Sequence, residues 1–167
     1  MLLPDWEIEP LGDVEMPDET GATFYENAAA KARFAQSVEP GRWTIGEDSG
    51  LEVDWLGGVP GIRSARYAPA GDEANAKLLG ELQGVERAGR GARYVCELVL
   101  IGPGGEERRG TGILEGHIAE EPRGTGGFGY DPVFVPDGEQ QTVAELGDDW
   151  KSRNSHRARA ARALLQS

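Results

Sequence analysis

Cysteine is almost missing from this chain. Cys96 is the single one in 167 residues, which excludes an internal disulfide. It lies in Arg93-Tyr-Val-Cys-Glu-Leu-Val-Leu-Ile101, a β-rich run, and reads as a packed strand thiol rather than a nucleophile. Long apolar stretches are lacking too: none suffices for a membrane helix or a signal sequence, so a cytoplasmic protein without a membrane partner is expected. Positive charge is scarce, with 17 Lys and Arg against 29 Asp and Glu and a net charge of -12. That balance argues against a nucleic acid polymer as partner, since binding a phosphate backbone requires many cations. A small anionic ligand fits only where basic groups are concentrated. Lys151, Arg153, Arg157, Arg159 and Arg162 form such a stretch, with no acidic residue between them. By themselves these five describe a solvated helix whose cations favour its C-terminal dipole.

What is present is globular: 38% hydrophobic residues, 28% charged residues spread along the chain, and 25 glycines that punctuate it. No repeat or long linker divides residues 1–167, so one domain is expected. Thr23-Phe-Tyr-Glu26 is a capping box that opens an alanine-rich helix through about Ser37. Trp43 to Glu47 and Leu51 to Leu56 read as two short strands separated by a brief interruption, and Gly57-Gly-Val-Pro-Gly61 as a loop. A helix is predicted from about Asp72 to Leu82. Tyr94–Ile101 and Glu107–Ile118 are predicted to pair antiparallel across the turn Gly102-Pro-Gly-Gly105. Pro132 to Pro136 is a short strand candidate, and a last helix runs from about Trp150 to Leu165. Helices on either side of a block of strands imply an α/β or α+β domain on a mixed sheet.

Three segments carry chemistry. Gly46-Glu47-Asp48-Ser49-Gly50 puts two carboxylates and a hydroxyl at a strand end before a glycine, which reads as an exposed, sharp turn. Paired carboxylates there supply hard oxygen ligands for magnesium, although the same composition makes ordinary turns. Gly124-Thr-Gly-Gly-Phe-Gly-Tyr-Asp-Pro132 sets Phe128 and Tyr130 among four glycines, a stacking surface for a base or simply a hairpin loop with buried aromatics. Lys151-Ser-Arg-Asn-Ser-His-Arg157 offers donors suited to a keto oxygen or a phosphate. His156 alone reads as a helix-surface residue.

Together with Thr23-Phe-Tyr-Glu-Asn-Ala-Ala-Ala-Lys31-Ala and Gly57-Gly-Val-Pro-Gly-Ile-Arg-Ser-Ala-Arg-Tyr67, these segments occur in the order of one family over nearly the whole chain. The sequence resembles the Ham1-type inosine and xanthosine triphosphate pyrophosphatases. The resemblance implies an elongated mixed sheet with flanking helices, two lobes around a central cleft, a homodimer and a Mg2+ cofactor. It also implies hydrolysis of ITP, dITP and XTP to the monophosphate and pyrophosphate. Carried over position by position, it makes Asp48 the catalytic acid/base and a metal ligand, with Glu47 and Glu19 as further metal carboxylates. Ser49 and Lys31 would lie near the phosphates. Phe128 would stack on the purine, and Gly129, Tyr130 and Asp131 would line the base pocket. Lys151, His156 and Arg157 would read the base and hold the nucleotide. Two departures stand out. Glu47 occupies a position that is aspartate in many relatives, and the chain begins at Met1-Leu-Leu-Pro-Asp-Trp6, after the expected place of an opening strand, helix and Ser/Thr-Gly-Asn-x-x-Lys phosphate loop. On that count, a nucleotide-binding protein without turnover is the alternative expectation.

Overall fold

The computed structural model describes residues 6–69 and 71–167. Helix α1 (Phe24–Val38) starts where Thr23 Oγ1 accepts from the Glu26 amide at 3.1 Å, while the Glu26 carboxylate reaches back to the Ala22 amide. Strand β1 (Thr44–Val53) follows, then a 3-10 turn at Asp54–Leu56, a second 3-10 segment at Gly61–Arg66, and helix α2 (Gly71–Glu81). Strands β2 (Gly91–Ile101) and β3 (Glu107–Ile118) form the expected hairpin, and β4 (Phe134–Pro136) adds a short fourth strand. Helices α3 (Val143–Asn154) and α4 (His156–Gln166) complete the chain. The strands lie in the order β1-β2-β3-β4, and each pairing is antiparallel. Among the described residues the α/β layering therefore rests on an antiparallel sheet rather than a mixed one.

Two local expectations need correction. Glu47–Leu51 is no turn: β1 runs through it without a break, paired with β2 from Thr44 opposite Ile101 to Val53 opposite Ala92. The partner strand supplies a ladder that overrides the turn-forming composition of Gly-Glu-Asp-Ser-Gly. The last helix is not one element either. Ser155 is extended (φ -61, ψ 160), and its hydroxyl caps α4 by accepting from the Ala158 amide at 3.3 Å.

Both faces of the sheet are covered, which explains the almost unbroken apolar run Val95–Ile101. Val99 and Ile101 meet Ala28, Ala29 and Ala32 of α1 on one face. Cys96, Leu98 and Leu100 meet Ala160, Ala161 and Leu164 of α4 on the other. At the far end of the strands a third cluster gathers Leu51, Val53, Leu78, Leu82, Tyr94 and Phe134. Glycine lets the helices come close. A Cβ on Gly46 would lie 2.1 Å from the Ala28 carbonyl oxygen and 2.6 Å from the Ala32 nitrogen, and one on Gly112 would lie 1.9 Å from the His156 carbonyl oxygen. Alanine in both helices does the same from the other side, since it adds little bulk beyond the backbone.

Gly46→Ala should therefore destabilise the fold by about 1–3 kcal/mol in urea unfolding, the usual cost of forcing atoms into a packed interface. The control is Gly80→Ala in α2, where a Cβ meets nothing within 4 Å; it should be neutral or stabilising by up to about 1 kcal/mol.

Candidate active site

The middle of β1 divides the site between the two faces of the sheet, because neighbouring strand residues point in opposite directions. Asp48 faces α1. Asn27 and Lys31, one helical turn apart on α1, both reach it: Asn27 Nδ2 donates to Asp48 Oδ2 at 3.1 Å, and Lys31 Nζ donates to Asp48 Oδ1 at 3.1 Å. The same ammonium donates to the Glu47 carbonyl at 3.0 Å and pairs with Glu19 Oε1 at 2.5 Å. Burial raises the Asp48 carboxyl above its usual range, opposed by the Asn27 hydrogen bond and by Lys31. Glu19 is lowered, chiefly by its hydrogen bond to Lys31. Burial pulls Lys31 down, but Glu19 and Asp48 outweigh it and the net shift is upward.

Glu47 and Ser49 face α4. Arg157 binds both, Nε to Glu47 Oε1 at 3.1 Å and Nη2 to Ser49 Oγ at 2.8 Å. Beside it the Phe128 ring is 62% exposed, with Lys151 Nζ 3.7 Å and Arg157 Cζ 5.3 Å from its centre. Asp131 holds this arrangement from below. Its buried carboxylate pairs with Lys151 and accepts from the Phe128 amide at 2.8 Å and from Tyr94 Oη at 3.3 Å. His156 is buried, not on a helix surface: it stacks on Tyr94 with ring centres 4.6 Å apart and planes within 8°. Its Nδ1 has no hydrogen-bond partner among the described residues. Gly129 offers its carbonyl to Asn75 Nδ2 at 3.0 Å, and Tyr130 is a core residue whose hydroxyl donates to the Ser64 carbonyl at 2.9 Å.

The segment Gly61–Arg66 joins the two halves. Ser64 Oγ accepts from the Leu51 amide of β1 at 2.8 Å, its carbonyl receives Tyr130 from the aromatic loop, and Arg66 Nη1 pairs with Glu19 at 2.7 Å. The residues singled out from sequence thus converge on one strand from two sides. Ser49 and Lys31, both expected near the phosphates, lie on opposite faces of β1. Glu47 likewise lies across the strand from Asp48 and Glu19, its carboxylate neutralised by Arg157. Among the described residues no group of three or more His, Cys, Asp or Glu forms a metal cage. Asp48 and Glu19 nevertheless suit a hard cation, because the Lys31 ammonium already sits between their oxygens as a positive stand-in. Magnesium is often held by one or two carboxylates, with water and substrate phosphates completing its shell. Sequence reasoning missed Asn27, Arg66 and Tyr94. Asn27 was accessible, since it precedes Lys31 by four residues and so shares its helix face; Arg66 and Tyr94 depend on packing between distant segments.

Burial, with Arg157 and Lys151 adding to it, lowers the His156 pKa from 6.5 to about 3. The folded chain keeps this imidazole neutral while the unfolded chain protonates it, so its contribution to stability is complete above about pH 6.5 and is lost as pH falls toward 3. Between pH 6.5 and 5 this one group should remove up to about 2 kcal/mol of unfolding free energy, given roughly 1.4 kcal/mol per proton per pH unit. His156→Gln should flatten that part of the stability profile, as measured by urea unfolding at each pH.

Known proteins share this architecture. The Ham1 family model matches residues 2–167. A dITP/XTP pyrophosphatase from Bacillus licheniformis is 52% identical over 152 residues, covering 88% of this chain and 76% of that protein. The dITP/XTP pyrophosphatase of Bacillus subtilis is 48% identical over 161 residues, covering 94% and 80%. Among solved structures, a HAM1 protein from Coxiella burnetii superposes with a TM-score of 0.89 at 38% identity, covering 99% of this chain and 88% of that one. With its buried aspartate and its aromatic, cation-lined loop meeting across one strand, and with matches spanning nearly its full length, the chain belongs to the Ham1 family.

Proposed function

We propose that the protein hydrolyses non-canonical purine nucleoside triphosphates, ITP, dITP and XTP, to the monophosphate and pyrophosphate, and so clears them from the nucleotide pool. The observation that carries this reading is the division of the site by β1: a stacking ring with donor-only cations on one face, and an acid pocket holding an ammonium on the other. Curated relatives named dITP/XTP pyrophosphatase, 45–52% identical over most of the chain, support the same activity.

Phe128 provides a face for the purine, and Lys151 and Arg157 provide hydrogen-bond donors beside it. Neither side chain can accept a hydrogen bond. A 6-keto group satisfies them, whereas the 6-amino group of adenine leaves a donor facing a donor, and a hydrogen bond left unmade on binding costs more than a made one returns. The Nδ1 of His156, buried at the same place, is a further polar atom with capacity to spare.

At the other face, Asp48 has the attributes of a general base. Burial raises its affinity for a proton, and in the empty pocket Asn27 and Lys31 hold its two oxygens. It takes the proton of a water that attacks the α-phosphorus. The bond from that phosphorus to the oxygen bridging to the β-phosphate breaks, and pyrophosphate leaves with the electron pair. Lys31 offsets the charge that develops on it. Magnesium, held by Asp48 and Glu19 and completed by phosphate oxygens, would add charge neutralisation here. Family resemblance also supports a homodimer, which sedimentation equilibrium of the purified chain would test, and a cytoplasmic location.

Pyrophosphate release from ITP, against ATP, with and without Mg2+ is the direct assay. Release should need the metal and favour ITP. Asp48→Asn should lower kcat by about 10²–10⁴-fold with the fold intact by circular dichroism. Arg157→Ala should cut the preference for ITP over ATP by about tenfold or more. Near-normal turnover by Asp48→Asn would remove Asp48 from this role, and ITP binding without any release would mark a nucleotide-binding protein instead.

A further inference from the structure

Glu19 is held by two cations. Lys31 takes one of its oxygens, Oε1, and Arg66 Nη1 takes the other, Oε2, at 2.7 Å. Arg66 ends the 3-10 segment Gly61–Arg66, whose backbone is anchored: Ser64 Oγ receives the Leu51 amide and donates to the Gly61 carbonyl at 2.6 Å, and the Ser64 carbonyl receives Tyr130. A fixed base thus carries a long arm whose side chain is 57% exposed. An ion pair this open adds little to stability, so holding the fold together is a poor account of it. Its position is more telling, for Arg66 occupies one of the carboxylates that a divalent cation would require.

A cation binding Glu19 and Asp48 competes with Lys31 and Arg66 for the same oxygens. Displaced from them, the two side chains stand next to a metal–triphosphate complex that still carries negative charge. The guanidinium is the better suited of the pair to grip phosphate oxygens, because its planar fork donates two parallel hydrogen bonds. We propose that Arg66 is a pyrophosphate-binding residue of this site, held in reserve by Glu19 in the empty pocket and transferred to the β- and γ-phosphates when a divalent cation takes Glu19. This rests on the pyrophosphatase reading above, and it adds a phosphate ligand delivered by the same segment that tethers the aromatic loop through Tyr130.

The test is isothermal titration calorimetry of the whole chain with inorganic pyrophosphate in the presence of Mg2+, with inosine monophosphate as a second probe. Arg66→Ala should weaken pyrophosphate binding by about tenfold or more, the usual effect of losing a charge-assisted hydrogen bond, while leaving inosine monophosphate binding within about twofold. Arg66→Lys should recover part of the loss. Arg63→Ala, three residues earlier and exposed, should behave as wild type. Mg2+ affinity without nucleotide should stay level or rise in Arg66→Ala, because a competitor for Glu19 is gone. Unchanged pyrophosphate binding in Arg66→Ala overturns the proposal. So does an equal loss in Arg63→Ala, which would make the effect one of general charge, or a fall in Mg2+ affinity, which would mean that Arg66 merely orders Glu19. If wild type binds inosine monophosphate but not pyrophosphate, the Arg66 assignment falls alone; if it binds neither, the pyrophosphatase reading falls with it.

Discussion

The close seating of two helices on glycine is the constraint from which the rest of the molecule follows. Gly46 under α1 and Gly112 under α4 let helix backbone approach strand backbone at distances that a single methyl group would block. On the first face that approach is what brings Asn27 and Lys31 within hydrogen-bonding reach of Asp48. On the second, the first turn of α4 lies against β3, and His156 and Arg157 are delivered to Tyr94, Glu47 and Ser49. Alanine on both helices and glycine on both strands serve one end, since a larger residue at either place would push the functional side chains away from β1.

Electrostatics explains why the seam between the core clusters is polar. A carboxylate buried like Asp48 costs several kcal/mol unless it is paired and hydrogen-bonded. Asn27 and Lys31 supply those partners, and Glu19 in turn pairs with Lys31 and Arg66, so that two carboxylates face two cations. The pocket is therefore close to neutral when empty and is built from groups that exchange partners readily. The opposite face uses the same device with reversed roles: Asp131 is buried and holds Lys151 against Phe128, while Glu47 holds Arg157. On this second face the cations are held by carboxylates, so their donors meet a base already oriented.

Much of the fold was legible because local signals agreed with their surroundings. Thr23 and Glu26 marked the start of α1, and the Gly102–Gly105 turn between two β-rich runs gave the hairpin of β2 and β3. The misreading of Gly46–Gly50 as a turn has one cause. Gly46, Ser49 and Gly50 look like a turn, but Gly46 is there to seat α1 and Gly50 to pass beneath the segment 61–66, where a Cβ would lie 2.5 Å from the Gly61 carbonyl. Glycine that serves packing cannot be told from glycine that serves a turn without knowing what lies above it. The alternation of β1 carried the same lesson to the site. Once Glu47–Leu51 is read as strand, Glu47 and Ser49 must face away from Asp48, so of the three expected carboxylates Glu47 lies on the opposite face of β1 from Asp48 and Glu19. The break at Ser155 and the cap at Thr142, whose hydroxyl and Glu145 form a reciprocal capping box, were written in the sequence as Thr-x-x-Glu and as a serine before His-Arg. His156 was hidden for a different reason, since its burial depends on the distant Tyr94.

The central claim is spatial: one nucleotide crosses β1, with its base on the Phe128 side and its phosphates beside Asp48. A crystal structure of Asp48→Asn with ITP and Mg2+ tests it most directly. Hypoxanthine should stack on Phe128 with its keto oxygen facing Lys151 and Arg157, and the α-phosphate should lie beside residue 48 within reach of Lys31. Base and phosphates bound together on a single face of the sheet, or a nucleotide bound away from β1, would contradict the account.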